Sequence, residues 1–251
     1  LAITTLNDAR LVARAPDAYP DPGGAVVTLF ELLVNAAMRG AFRVACRLDI
    51  KALSDLPPQG PAILMTNHTT NLDGPAIYVF IQPRKATAIA KRELWANPIT
   101  RFFMQIWKII PINRGRVDKR ALKRCVAALD QGMFLGVAPE GTRSRSGILG
   151  QGHPGIAMLA TTRRVPVYPV VHVGLNEVFR SLRRLRRSRV TVRVGRPFLV
   201  RPIEGRPSTS QLRRIASEIM FQMALLLPPH LRGNYRDLGV MTTDYLTFVD
   251  E

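Results

Sequence analysis

Between residues 25 and 227, short apolar runs alternate with stretches in which apolar residues recur every three or four positions. The runs at 61–66, 86–90, 108–112, 133–138 and 165–173 predict buried strands. Further strands are expected at 43–50 and across 190–200, where Thr191-Val192-Arg193-Val194 alternates. The periodic stretches predict helices over 25–42, 74–82, 97–107, 118–131, 153–163 and 209–227. The last follows a Ser208-Thr209-Ser210 cap and sets Leu212, Ile215, Ile219, Met223 and Leu226 on one face. Such alternation implies an α/β fold with a mixed, largely parallel sheet flanked by helices. A chain of 251 residues suits one domain of this kind, here 43–251. An N-terminal arm and helix over 1–42 precede it, and no internal repeat interrupts it.

The helix at 25–42 bears Val26, Val27, Leu29, Phe30, Leu32, Leu33, Ala36 and Ala37, with Glu31, Asn35 and Arg39 at four-residue spacing. That spacing gathers the polar residues on one face. At about 1.5 Å per residue the segment is about 27 Å long, short of the ~30 Å hydrocarbon core, and its polar stripe makes crossing costly. An amphipathic helix at a membrane interface is therefore expected, with packing on the domain as the alternative. Residues 1–24 are polar and end in Pro20-Asp21-Pro22-Gly23-Gly24, which reads as a mobile lead or a loosely packed arm. Leu94-Trp95, Ile99, Phe102-Phe103 and Ile106-Trp107 offer a second apolar surface with aromatics suited to the headgroup region. No secretory signal is recognisable. Peripheral attachment to a cytoplasmic membrane face is the expected placement.

Chemistry concentrates first at Asn67-His68-Thr69-Thr70-Asn71-Leu72-Asp73, which follows the apolar run Ala62-Ile63-Leu64-Met65. Gly74-Pro75 marks a helix start, with Asp73 at or near its N-cap. Residues five apart in a helix point about 140° from each other. Contact between the pair therefore needs His68 in the turn and Asp73 in the first helical turn. The carboxylate would then fix the ring's tautomer and leave the other nitrogen free to take a proton from a hydroxyl. Taken alone, the spacing also admits a capping aspartate and an ordinary loop histidine.

Three later segments change that balance: Ile109-Ile110-Pro111-Ile112-Asn113-Arg114, Val137-Ala138-Pro139-Glu140-Gly141-Thr142-Arg143-Ser144, and Val165-Pro166-Val167-Tyr168-Pro169-Val170. With these four blocks in order, the chain from Phe42 to Val200 resembles the glycerolipid acyltransferases, specifically the 1-acylglycerol-3-phosphate acyltransferases. The resemblance implies that His68 is the general base and Asp73 its partner. It assigns Arg114 to the acceptor phosphate, and Glu140, Gly141, Thr142 and Arg143 to acceptor binding. It places Pro166 and Pro169 on the acyl-donor side or in the site's architecture. Asn67, Pro139 and His153 lie beside these motifs and are further candidates for a place near the substrate. Asn113 departs from the family's usual Asp, and Ala138 from its usual Phe. Gln151-Gly152-His153-Pro154-Gly155 stands where relatives often carry a lysine.

An acyl thioester is already activated, so the reaction needs a base and oxyanion donors but no cofactor, metal or covalent nucleophile. Backbone amides are the expected donors. Arg114 and Arg143 suit bidentate phosphate binding, against a reading as solvated surface residues. Glu140 has a rival reading as the carboxylate that orients Arg143. His153 is expected mainly to begin a helix, His172 to be a core or strand-end residue, and His230 to lie in a surface loop. Cys46 and Cys125 lack metal-ligand spacing and read as free buried thiols.

Lys+Arg 36 against Asp+Glu 18 gives a net charge of +18, which calls for anionic partners. Ten arginines fall between Arg180 and Arg206 with one acid, Glu204. Aromatic stacking residues and RNA-binding signatures are missing there, so nucleic acid is not expected. An anionic membrane surface or the phosphates of CoA fit better. The expected activity moves a fatty acyl group from acyl-CoA or acyl carrier protein to lysophosphatidic acid. The alternatives are another acceptor, such as glycerol-3-phosphate, another lysophospholipid or a glycolipid precursor, or a basic membrane- or RNA-binding protein without catalysis.

Overall fold

The structure, a computed structural model, describes residues 29–115 and 118–249; the arm expected over 1–24 lies outside them. Its strands are β1 (Cys46–Asp49), β2 (Ala62–Thr66), β3 (Ala86–Lys91), β4 (Ile110–Ile112), β5 (Phe134–Val137), β6 (Val167–Val173), β7 (Ser188–Val194), β8 (Phe198–Val200) and β9 (Leu246–Phe248). They form one sheet in the order β1-β7-β6-β2-β5-β3-β4, with β8 beside β6 and β9 beside β8. β6, β2, β5, β3 and β4 are mutually parallel, whereas β7 and β8 run antiparallel to β6. The α/β expectation of a mixed, largely parallel sheet holds.

The helices are α1 (Leu29–Ala45), α2 (Asp73–Ile81), α3 (Pro98–Ile106), α4 (Lys119–Asp130), α5 (Pro154–Thr162), α6 (Val178–Arg183) and α7 (Thr209–Leu226). Both faces of β2 are buried because successive side chains point to opposite sides. Ile63 and Met65 enter a core built with α4, α5 and α7, while Ala62 and Leu64 enter a second core with α2 and Trp107. α7 starts with a capping box in which the Ser208 hydroxyl accepts the Gln211 amide and the Gln211 side chain accepts that of Ser208.

Several expectations change. Residues 43–45 extend α1 instead of opening a strand, so β1 is short. Helix α6 and strand β9 occupy segments for which the pattern predicted no element. β9 is secured through Glu218, a buried carboxylate of α7. It accepts the Thr242 hydroxyl at 2.6 Å and the Asp244 and Tyr245 amides at 3.0 and 2.9 Å. Leu226, expected among the buried residues of α7, is only partly covered at the last turn.

The most informative difference lies in α1. Its polar face, expected towards water or headgroups, turns inward. Glu31 and Asn35 are buried, and Glu31 accepts the Tyr78 hydroxyl at 3.0 Å while Asn35 accepts the Trp107 indole N–H at 2.9 Å. Leu29, Phe30, Leu32, Leu33 and Val44 face outward, with Val44 77 % exposed. Phe30 meets Phe102 of α3 edge to face, their centroids 6.0 Å apart. That contact joins the outward face of α1 to exposed Ile99 and Phe102.

Candidate active site

β2, β4, β5 and β6 end at one edge of the sheet, where parallel α/β folds place their chemistry. At that edge Asp73 turns its carboxylate back onto the loop before α2. Oδ2 accepts the amides of Thr69 at 2.6 Å and Thr70 at 2.8 Å and lies 2.9 Å from His68 Nδ1. Oδ1 accepts the Thr69 hydroxyl at 3.2 Å and lies 3.5 Å from His172 Nε2. The side chain is 1 % exposed, so these donors are what make a buried carboxylate tolerable. Leu72, not Asp73, holds the N-cap position. Asp73 is thus next to the N-cap, within the expected place, but its carboxylate bonds the preceding turn and caps no helical amide.

Amides can only donate, so Oδ2 is an acceptor and Nδ1 of His68 must carry the hydrogen between them. His68 Nε2 then presents a lone pair, on a side chain that is 23 % exposed. Its backbone is held from the neighbouring strand. The His68 amide donates to Glu140 Oε1 at 2.7 Å, and its carbonyl accepts the Ser144 amide at 2.7 Å.

Glu140 is buried, and its second oxygen accepts the Gly150 amide at 2.7 Å. Desolvation raises its pKa, while the His68 and Gly150 amides pull it down. Both oxygens are taken by backbone amides, and no ion pair joins Glu140 to Arg143 among the described residues. Glu140 therefore ties the Glu-Gly-Thr-Arg loop to the turn that bears His68. Gly141 takes φ +63°, and a Cβ there would stand 2.7 Å from the His153 ring, so this loop needs glycine. His153 itself is exposed, precedes α5 and donates its amide to the Pro139 carbonyl at 2.9 Å.

Arg114 and Thr142 are exposed beyond β4 and β5, as is Arg143. Partial desolvation of the Arg114 guanidinium lowers its pKa, opposed by Glu93, and the charge of Arg143 lowers it further. Pro166 and Pro169 serve the sheet: the Pro166 carbonyl accepts the Ile63 amide at 2.9 Å, and the Pro169 carbonyl accepts that of Gly195 at 2.8 Å. Among the described residues no His, Cys, Asp and Glu cluster could hold a metal ion. Cys46 and Cys125 are free and buried.

Residue-by-residue reading missed the link between Asn67 and His172. The Asn67 side chain exchanges two bonds with the His172 backbone, at 3.0 and 2.9 Å, and His172 Nε2 lies 3.0 Å from the Asn67 carbonyl. Burial lowers the His172 pKa, against the pull of Asp73, which favours a neutral ring donating through Nε2. A histidine in the otherwise apolar Val167–Val173 strand was the available signal.

The same segments match a family model described as Acyltransferase over residues 37–173, more than half of the chain. The chain belongs to the acyltransferase family. Its relatives include the chloroplastic 1-acyl-sn-glycerol-3-phosphate acyltransferase LPAT1 of Arabidopsis thaliana, 31 % identical over 53 % of this chain and 37 % of the plant protein. The alpha form from Bos taurus is 31 % identical over 63 % of this chain and 55 % of its own length. The acyltransferase fold is shared with a solved structure, the 1-acyl-sn-glycerophosphate (LPA) acyltransferase PlsC from Thermotoga maritima. It matches at TM-score 0.57 and 21 % identity, covering 85 % of this chain and 81 % of that one. The chain thus spans about half or less of the length of the curated plant and bovine acyltransferases it matches.

Proposed function

We propose that this acyltransferase moves a fatty acyl group from acyl-CoA or acyl carrier protein to the free hydroxyl of lysophosphatidic acid, forming phosphatidic acid. The observation that carries the reading is His68 Nδ1 bound to Asp73 at 2.9 Å, which leaves Nε2 free at the sheet edge where β4 and β5 lead into the loops of Arg114 and Arg143. Nε2 takes the hydroxyl proton as the acceptor oxygen attacks the thioester carbonyl. The tetrahedral intermediate then collapses, the C–S bond breaks, and the departing thiolate recovers the proton from the imidazolium. Asp73 stabilises that imidazolium throughout. The relatives' names favour lysophosphatidic acid as acceptor. Thiol release with a panel of phosphorylated and unphosphorylated acceptors, with products identified by mass spectrometry, tests it. Turnover confined to unphosphorylated alcohols would overturn the acceptor assignment.

Arg114→Ala and Arg143→Ala are expected to raise the acceptor KM roughly tenfold or more, as loss of a charged hydrogen bond costs about 1.5–3 kcal/mol. The acyl-CoA KM should move little. Equal shifts in both KM values would remove the phosphate role.

The proposal extends to a peripheral seat on a membrane. Among the described residues no helix is long and apolar enough to cross one. The outward face of α1, with Ile99 and Phe102 of α3, is an apolar surface rimmed by Arg39 and Arg43. Leu33→Asp, at a side chain 59 % exposed, should weaken vesicle binding at least tenfold by removing apolar burial and adding a charge. Its thermal midpoint should stay within a few degrees of wild type. Co-sedimentation with vesicles measures the first effect and thermal unfolding the second.

A further inference from the structure

The turn between β6 and β7 carries the least economical residue in the fold. α6 ends in a Schellman arrangement, in which the Arg186 amide bonds the Ser181 carbonyl and the Leu185 amide that of Leu182, both at 2.9 Å. The residue that closes such a motif adopts a left-handed backbone and is usually glycine. Here it is Leu185, at φ +53°, and its side chain is 97 % exposed. A leucine held in a disfavoured conformation and surrounded by solvent contributes nothing evident to folding. Phe179 and Leu182, 57 % and 42 % exposed, project from the same short helix.

Arginines surround this apolar tip. Arg180 pairs with Glu177 at 3.1 Å, whereas no carboxylate among the described residues pairs with Arg183, Arg184, Arg186 or Arg189. Arg187 anchors the turn by donating to the carbonyls of Arg43 and Cys46 at the end of α1. Exposed Val44 lies between those two residues in the chain, so the turn sits beside the end of α1 that carries Val44. β1 and β7 pair in parallel and both begin at the edge where β6 ends, because β7 runs antiparallel to β6. The tip therefore emerges at the edge of the sheet that carries His68.

We infer that Phe179, Leu182 and Leu185, ringed by Arg183, Arg184 and Arg186, form a second anchor that inserts into an anionic lipid surface. This rests on the membrane reading given above and assigns its headgroup preference. The apolar tip enters the acyl region while the guanidinium groups meet headgroup phosphates, a division of labour suited to bilayers. An RNA strand would explain the arginines but not an exposed leucine at a strained position.

The test is vesicle co-sedimentation of the full chain on phosphatidylcholine with and without phosphatidylglycerol. Leu185→Gly removes the apolar tip and suits the left-handed backbone. Its thermal midpoint should be unchanged or raised, while vesicle affinity falls about tenfold on both lipid mixtures, the worth of burying one leucine. Arg184→Gln and Arg186→Gln should each cost about fivefold on the anionic vesicles alone, an effect that high salt erases. If Leu185→Gly and both glutamine variants bind like wild type, this anchor does not exist, and Leu33→Asp then tests the α1 surface by itself. If wild type binds neither vesicle, the membrane reading and this anchor fall together. Binding of a single-stranded RNA oligonucleotide that needs the arginines, with vesicle binding indifferent to Leu185, would assign the patch to nucleic acid and overturn the proposal.

Discussion

His68→Ala is expected to lower kcat by about a hundred- to ten-thousand-fold while leaving the protein folded, the range for loss of a positioned general base. The side chain is 23 % exposed and contributes one hydrogen bond, through Nδ1 to Asp73. The bonds that hold the loop in place come from its backbone, to Glu140 and Ser144, and survive the change. Thermal unfolding should therefore shift by only a few degrees. Turnover near wild type in that variant would sink the base assignment. Turnover lost together with cooperative unfolding would assign His68 to the fold instead.

Asp73→Asn should cost a comparable factor in kcat for a different reason. Asparagine keeps one carbonyl oxygen, which can still accept the Thr69 and Thr70 amides. It has no charge with which to stabilise an imidazolium, and losing the carboxylate of such a pair can cost up to about ten-thousand-fold. Unlike His68→Ala, this variant should also lose stability, because the buried site was built around an acceptor-only carboxylate. An unfavourable buried contact costs about 1–3 kcal/mol, which in a domain of this size lowers the midpoint by several degrees. The two residues act as one unit, so the double variant should be scarcely slower than either single one. Multiplicative losses in that cycle would show that they act separately.

Much of the architecture was legible because its signals are local. β2 reads directly from Ala62-Ile63-Leu64-Met65 and its flanking Gly, Pro and Asn, since strand, turn and helix signals sit within a dozen residues. Geometry set only the condition for the His68–Asp73 contact, since a five-residue spacing can close only across a turn, and the later acyltransferase-like blocks were needed to choose it over a capping aspartate. The orientation of α1 did not follow. A polar stripe has the same period whether it faces water or buried partners, and Tyr78 and Trp107 are 47 and 72 residues from the residues they bond. The place of His172 was equally hidden, because its partner Asn67 lies 105 residues away. Glu140 was read through substrate binding, yet its two bonds go to backbone amides that carry no side-chain signature. α6 escaped notice because six residues, half of them charged or polar, give too short a window for helical periodicity.

The inverted helix has one more consequence. Apolar packing draws its strength from water, and on the proposed membrane seat that incentive weakens where lipid replaces water beside the helix. Hydrogen bonds behave in the opposite sense, strengthening as the surrounding dielectric falls. By joining α1 to its domain through Glu31 with Tyr78 and Asn35 with Trp107, the fold fastens this helix with a latch that tightens in oil.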